Sequence, residues 1–289
     1  MLADLDLLLI AVFCTADDLL PARAGNGKRM LTDAEVVTLC VAQAIMGIPS
    51  DERFLLVAGK RLAHLFPRLP KRPGYHKRRQ RLAETIEALI VVFARQSPGF
   101  HDDLLLVDST PVECARSLET TRRSQLADAA DYGYSASHSR YFWGFRLHGL
   151  FALDGTPRAL SLTSPKTSER EVCLGLLARV ERHGPITVIG DKGYAGREFE
   201  QAAATLKATI ARPHRKDEPG SGPHLAPIRQ RIESIFQTCK DLLTLERHGA
   251  RTLHGLSVRI STRFLALAAS ISLNHRLGRP SRALLDYTA

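Results

Sequence analysis

The chain carries little that would staple or anchor it. Its five cysteines (Cys14, Cys40, Cys114, Cys173 and Cys239) are odd in number, widely spread and form no CxxC pair. That pattern argues against a disulfide framework or a zinc knuckle and fits a reducing compartment. The most apolar run, residues 7–14, is too short to cross a bilayer, and Asp4 and Asp6 stand where a signal peptide would be positive. A cytoplasmic protein with no membrane partner is expected. Internal repeats and low-complexity tails are also lacking, and there is a single tryptophan, Trp143. Acidic residues are outnumbered by basic ones, leaving a net charge of +10. Such a surplus favours a polyanionic partner, most simply nucleic acid, because lysine and arginine displace condensed counterions from phosphates. An ordinary basic surface is the alternative.

At 289 residues the chain can bury a sizeable core, with room for one large domain and a smaller one. Residues 1–95 read as an all-helical N-terminal region. TDAE at 32–35 is a capping-box pattern opening an amphipathic run over 36–46, and 47–50 would stop it. A second helical segment spans about 51–65. The densest basic cluster follows: Lys71, Arg72, His76, Lys77, Arg78, Arg79 and Arg81. It reads either as a phosphate-contacting helix start, with Tyr75 able to stack, or as a solvated polar face.

Beyond residue 103 the pattern changes to strands. Residues 104–107 are a short branched apolar run ending in Asp108, and 186–190 repeat that grammar and end in Asp191. Between them, 120–139 read as an exposed excursion, and 141–152 and 158–162 as two strands around the Asp154-Gly155 turn. Helices are expected over 167–183, 197–206, 228–247 and 253–275, a short strand over 208–211, and a loop over 212–227. The succession predicts an α/β fold, a ribonuclease H-like mixed sheet flanked by helices, in which the first strand lies beside a later one. Domain limits are expected at 1–95 (helical, DNA-binding), 96–250 (catalytic) and 251–289 (a C-terminal helix packing on the catalytic domain).

In the helix over 228–247, Ile228, Ile232, Ile235, Cys239 and Leu242 recur at helical spacing and form one buried stripe. Arg229, Glu233 and Lys240 share a second stripe at its margin. Taken alone, Arg229 and Glu233 are equally a surface pair at spacing four. If Asp108, Asp191 and Glu233 converge, they offer three hard oxygen ligands without histidine or cysteine, which suits Mg²⁺ or Mn²⁺ and argues against zinc. Two such ions about 4 Å apart would serve in-line phosphoryl displacement, with Lys192, Arg229 and Lys240 holding the phosphodiester strand.

The DS after the first strand (Asp108), the GDKGY at 190–194 and the RxxxE followed by a lysine (Arg229, Glu233, Lys240) resemble bacterial insertion-sequence transposases of the DDE class. The nine-eighty-two family of insertion sequences is the nearest branch, and the segments 134–148 and 32–43 are also similar to it. The resemblance covers nearly the whole chain. It implies Asp108, Asp191 and Glu233 as a catalytic metal triad binding two Mg²⁺ (or Mn²⁺) ions, with no small-molecule cofactor. The implied activity is cutting of element ends and joining of 3′ hydroxyls to target DNA. DNA-binding residues expected alongside are Lys192, Tyr194, Arg229, Lys240, Lys77, Arg78 and Arg79. Implied partners are terminal inverted repeats, target DNA and further copies of the chain, in a bacterial cytoplasm and on the nucleoid when DNA-bound. Where the family has a tyrosine three residues before the arginine, this chain has Ala226. The short span from Asp191 to Glu233 leaves no room for a large β insertion. A ribonuclease H-like nuclease without strand transfer, and an inactive DNA-binding relative, are the alternatives.

Other residues invite over-reading. His138, His148 and His183 have no ligand spacing and read as structural or surface histidines. Trp143 lies among Tyr141, Phe142 and Phe145, where core packing is favoured over base stacking. Ser109 and Thr110 lack a partnered histidine, so a serine nucleophile is disfavoured. Cys114 and Cys173 read as small buried residues.

Overall fold

The computed structural model of the chain describes residues 2–21, 30–135, 139–214, 218 and 225–288, with only the backbone described at Leu2, Ala3 and Arg229. Five helices come first: α1 (Leu2–Leu19), α2 (Asp33–Ile45), α3 (Asp51–Arg61), α4 (Arg72–Arg81) and α5 (Ala83–Arg95). Then come β1 (Leu104–Ala115), α6 (Leu118–Arg123), β2 (Asp131–Ser135), β3 (Arg140–Ala152), β4 (Pro157–Thr163), α7 (Glu169–Arg179), β5 (Ile186–Ile189), α8 (Arg197–Thr205) and β6 (Ala208–Ala211). Helices α9 (Ala226–Asp241), α10 (Leu253–Arg276) and α11 (Leu285–Thr288) close the chain. Contacts divide it into two compact units, residues 1–96 with 238–289, and residues 97–237.

The first unit is helical. Thr32 and Glu35 form the expected reciprocal capping box at the start of α2, satisfying two backbone donors that the helix cannot. Met46 ends that helix and Gly47 follows at φ 61°, the left-handed step that turns the chain away. Helix α10 is long and apolar enough to cross a membrane, but nine-tenths of its apolar window is buried, packed on α5 and α2. It is the core helix of this unit. Residues 251–289, expected to accompany the catalytic segment, thus group with the N-terminal helices, and the division falls at 237/238 rather than 250. A helix apolar on every face needs a surround of other helices, which the N-terminal segment supplies.

The second unit is a six-stranded mixed sheet in the order β2-β3-β1-β5-β6, with β4 also on β3. Strands β1, β5 and β6 are parallel, and β3 runs antiparallel to β1. This is the ribonuclease H-like arrangement, the first strand lying beside a later one. Alternation of side chains sends Leu105, Val107, Leu150, Ala152, Ile186 and Val188 to one face, where they meet Val172, Cys173, Leu176 and Leu177 of α7 and Phe199 and Ala203 of α8. The opposite face carries Leu106, Asp108, Phe151 and Ile189, and there Phe236 of α9 meets Phe151 edge-to-face at 5.5 Å.

Two local expectations need correction. Asp108 does not end its strand: β1 continues to Ala115, hydrogen-bonded along β3. Its parallel pairing with β5 stops at Leu106, so the apolar run marked only the stretch flanked on both sides. Beyond it β1 has an open side, which accommodates Pro111. Residues 120–139 are likewise more than an excursion, since they hold part of α6 and the edge strand β2, with Thr121, Leu126, Ala130 and Ser135 buried. The loop expected over 212–227 lies largely outside the described residues.

Candidate active site

Three pairs set the register of β1 against β5: Leu104 with Thr187, Leu105 with Val188 and Leu106 with Ile189. Asp108 stands two residues beyond Leu106 within β1, and Asp191 two residues beyond Ile189, just past the end of β5. The two therefore lie towards the same end of the parallel pair, and the charges of both act on Tyr194. Both residues are half-buried. The Ser109 N–H donates to Asp108 Oδ1 at 2.7 Å, and the Gly193 N–H donates to Asp191 Oδ1 at 2.7 Å. Each bond orients a carboxylate.

Tyr194 reports on this corner. It is buried with its hydroxyl unpartnered. Burial, followed by the negative charges of Glu169, Asp108 and Asp191, pushes its ionisation well above the ordinary tyrosine value. Beside it Glu169, the first residue of α7, accepts from Ser109 Oγ at 2.8 Å and from Arg146 Nη1 at 2.5 Å. Arg146 also donates to Ser109 Oγ at 3.1 Å and to the Tyr134 carbonyl at 3.0 Å. This clamp holds β1 where β5 has left it. Nothing in the sequence around Glu169 points to its partner on β3.

Glu233 lies on the exposed side of α9. Its helix is fixed by Ile232, Ile235, Phe236 and Cys239, all buried, and by Arg231 donating to the Leu153 carbonyl at 3.4 Å. Phe236 packs on Phe151, the β3 partner of Leu106, so α9 meets the sheet on the face that carries Leu106. Among the described residues, however, no group of three or more histidine, cysteine, aspartate or glutamate side chains is placed to hold a metal ion. The donors have the right chemistry for Mg²⁺ or Mn²⁺, hard oxygens only. Asp108 and Asp191 lie towards the same end of the sheet, and Glu233 does not complete a metal-holding group with them.

The expected DNA contacts divide. Lys192 and Lys77 are exposed. Lys240 is paired with Glu246 at 3.2 Å, and Arg78 with Asp33 at 2.6 Å and the Leu31 carbonyl at 2.8 Å. The Arg229 side chain lies outside the described residues. Arg79 is a correction: it is 1% exposed and donates to both oxygens of Asp51, at 2.9 Å each, and to Gln43 at 3.0 Å. Its guanidinium also lies 5.2 Å from the Tyr75 ring. Tyr75, buried with its hydroxyl donating to Gln43 at 2.9 Å, has no free face for a base, and Tyr194 is buried in the same way. These side chains build the core that the exposed bases stand on.

The remaining histidines and aromatics fit their structural readings. His148 is buried beside Thr163 Oγ1, and burial with the nearby Arg146 charge pushes its pKa down to about 4. His183 stacks on His101 at 6.1 Å, and His138 lies outside the described residues. Phe142, Trp143 and Phe145 are core, whereas Tyr141 is exposed beside Tyr134. Cys173 is buried, its thiol pushed up to about 12 by burial, and the half-buried Cys114 is pushed up to about 12 by burial and Glu113. Ser109 donates to a carboxylate and has no histidine base.

No curated protein matches the chain. Among solved structures it is similar to a pre-cleavage Mos1 transpososome, at 11% identity over 89% of this chain and 82% of that one, with a TM-score of 0.22. It is also similar to the Mos1 mariner paired end complex with Mn, at 12% identity over 89% and 83%, with a TM-score of 0.24. Scores this low add nothing to the topology described above. The sequence itself is decisive: the model of the family described as Transposase DDE domain matches residues 99–269, more than half of the chain, and the chain belongs to that family.

Proposed function

We propose that the protein is a DNA transposase that cuts element ends and joins the freed 3′ hydroxyls to target DNA, of the insertion-sequence nine-eighty-two branch. The observation that supports this reading is the register of β1 against β5, which leads Asp108 and Asp191 towards the same end of the sheet, within a chain of the DDE transposase family. In this proposal Asp108, Asp191 and Glu233 hold divalent cations, Mg²⁺ or Mn²⁺. Two such ions, when bound, supply Lewis acidity to the attacking and leaving oxygens of a phosphodiester displacement. The backbone donors at Ser109 and Gly193 keep the two aspartates aimed. Lys192, beside Asp191, offsets the repulsion between an acidic cluster and a DNA backbone, as Arg229 and Lys240 do along α9. The helical N-terminal region grips element ends through exposed bases such as Lys77, and copies of the chain pair two ends. The setting is a bacterial cytoplasm.

The test is incubation of the full-length protein with DNA ending in its own flanking repeats, a target plasmid and Mg²⁺. Joined products with new 3′ linkages are expected. Cleavage without joining would mean a nuclease of the same fold. The incomplete acidic group among the described residues favours a second reading, an inactive DNA-binding relative, whose signature is salt-sensitive binding and no metal-dependent product.

A further inference from the structure

Three arginines converge inside the helical unit: Arg79 from α4, and Arg259 and Arg263 from α10, each less than a tenth exposed. Among the described residues Asp51 is the one carboxylate that meets them, accepting from Arg79 and, at 2.9 Å, from Arg259 Nη2. Arg263 gives its hydrogen bonds to neutral oxygens: the Thr244 carbonyl at 3.2 Å, the Arg259 carbonyl at 2.7 Å and Thr244 Oγ1 at 3.3 Å. Three positive groups therefore share one negative charge where water is scarce. A buried charge left uncompensated is strongly destabilising.

The same three guanidiniums line a small cavity together with Gln43 and Thr244, of about 10 Å³, room for a single water-sized occupant. Arg79 Nε, also buried, has no hydrogen-bond partner. We propose that this cavity is a structural anion site that takes one small monovalent anion, chloride, between Arg79, Arg259 and Arg263. At about 10 Å³ the cavity is too small for sulfate, and the three positive charges around it disfavour a cation. Burial and the charges of Arg259 and Arg79 push the Arg263 pKa down to about 9, whereas a guanidinium ordinarily stays protonated well beyond that. A bound anion removes that conflict and holds α4 and α10 together.

Thermal unfolding of the full chain, in chloride against methanesulfonate at constant ionic strength, tests the site. Chloride is expected to raise the melting temperature by a few degrees for each tenfold increase above its dissociation constant, and Arg263→Met to lose that dependence. Identical melting in the two salts would overturn the proposal, as would a folded Arg263→Met with full chloride dependence. Should that variant not fold, crystals soaked in bromide decide: an anomalous peak among the three arginines supports the site, and water alone there refutes it.

Discussion

Asp108 and Asp191 stand two residues beyond Leu106 and Ile189, the last paired positions of adjacent parallel strands, and burial together with the charges of both raises the Tyr194 pKa. Past that point β1 goes on along β3, whereas β5 ends. One strand pair thus delivers both aspartates to the same end of the sheet.

The basic helix α4 separates into binding and structural charges. Lys77→Ala should lower the slope of log affinity for DNA against log salt by about 0.9 and leave the melting temperature unchanged. Arg79→Met should destabilise the protein by about 3 kcal/mol, since it breaks a buried ion pair. Salt-titrated DNA binding and urea unfolding of the two variants check both. Equal effects on stability would return Arg79 to the surface.

His148 gives a pH signature. Its folded pKa is about 4 against an ordinary 6.5, so the unfolded chain binds the extra proton first as pH falls. Stability from this group is complete above about 6.5 and declines as pH drops toward about 4, amounting to about 3 kcal/mol at most. Unfolding of the wild type and His148→Gln across that range should show a shallower pH dependence in the variant. Parallel curves would contradict the assignment.

Phe236 seats the helix that carries Glu233. Phe236→Ala should cost about 3 kcal/mol or more of stability through the cavity it leaves against Phe151. At temperatures where the variant stays folded, strand cleavage should fall further than DNA binding. Phe236→Leu, which refills much of that space, should recover most of both. Retained cleavage in the alanine variant would detach Glu233 from the site.

What the chain revealed in advance was local. The apolar runs before Asp108 and Asp191, the Asp154-Gly155 turn and the Thr32–Glu35 box each announce their structure within a few residues. Asp108 as a strand terminus was misread because β1 past Val107 alternates polar residues and includes Pro111, the pattern of a strand with one open side. Arg79 looked like any member of a solvated cluster, as its partner Asp51 lies on another helix, α3. The buried side of α9 was legible as a stripe, but it centres on Ile232, Ile235, Phe236 and Cys239, with Ile228 and Leu242 only half-buried. At helical spacing Glu233 sits about 60° from Phe236, nearer the covered face than the expected stripe implied.

The most direct measurement is Mn²⁺ binding to the DNA-bound protein, followed by electron paramagnetic resonance, in the wild type and in Asp108→Asn, Asp191→Asn and Glu233→Gln. Two bound ions per chain in the wild type, with binding lost or weakened at least tenfold in every variant, is the expected result. Undiminished Mn²⁺ binding in any of the three would remove that side chain from the metal site, and its retention in all three would contradict the shared site altogether.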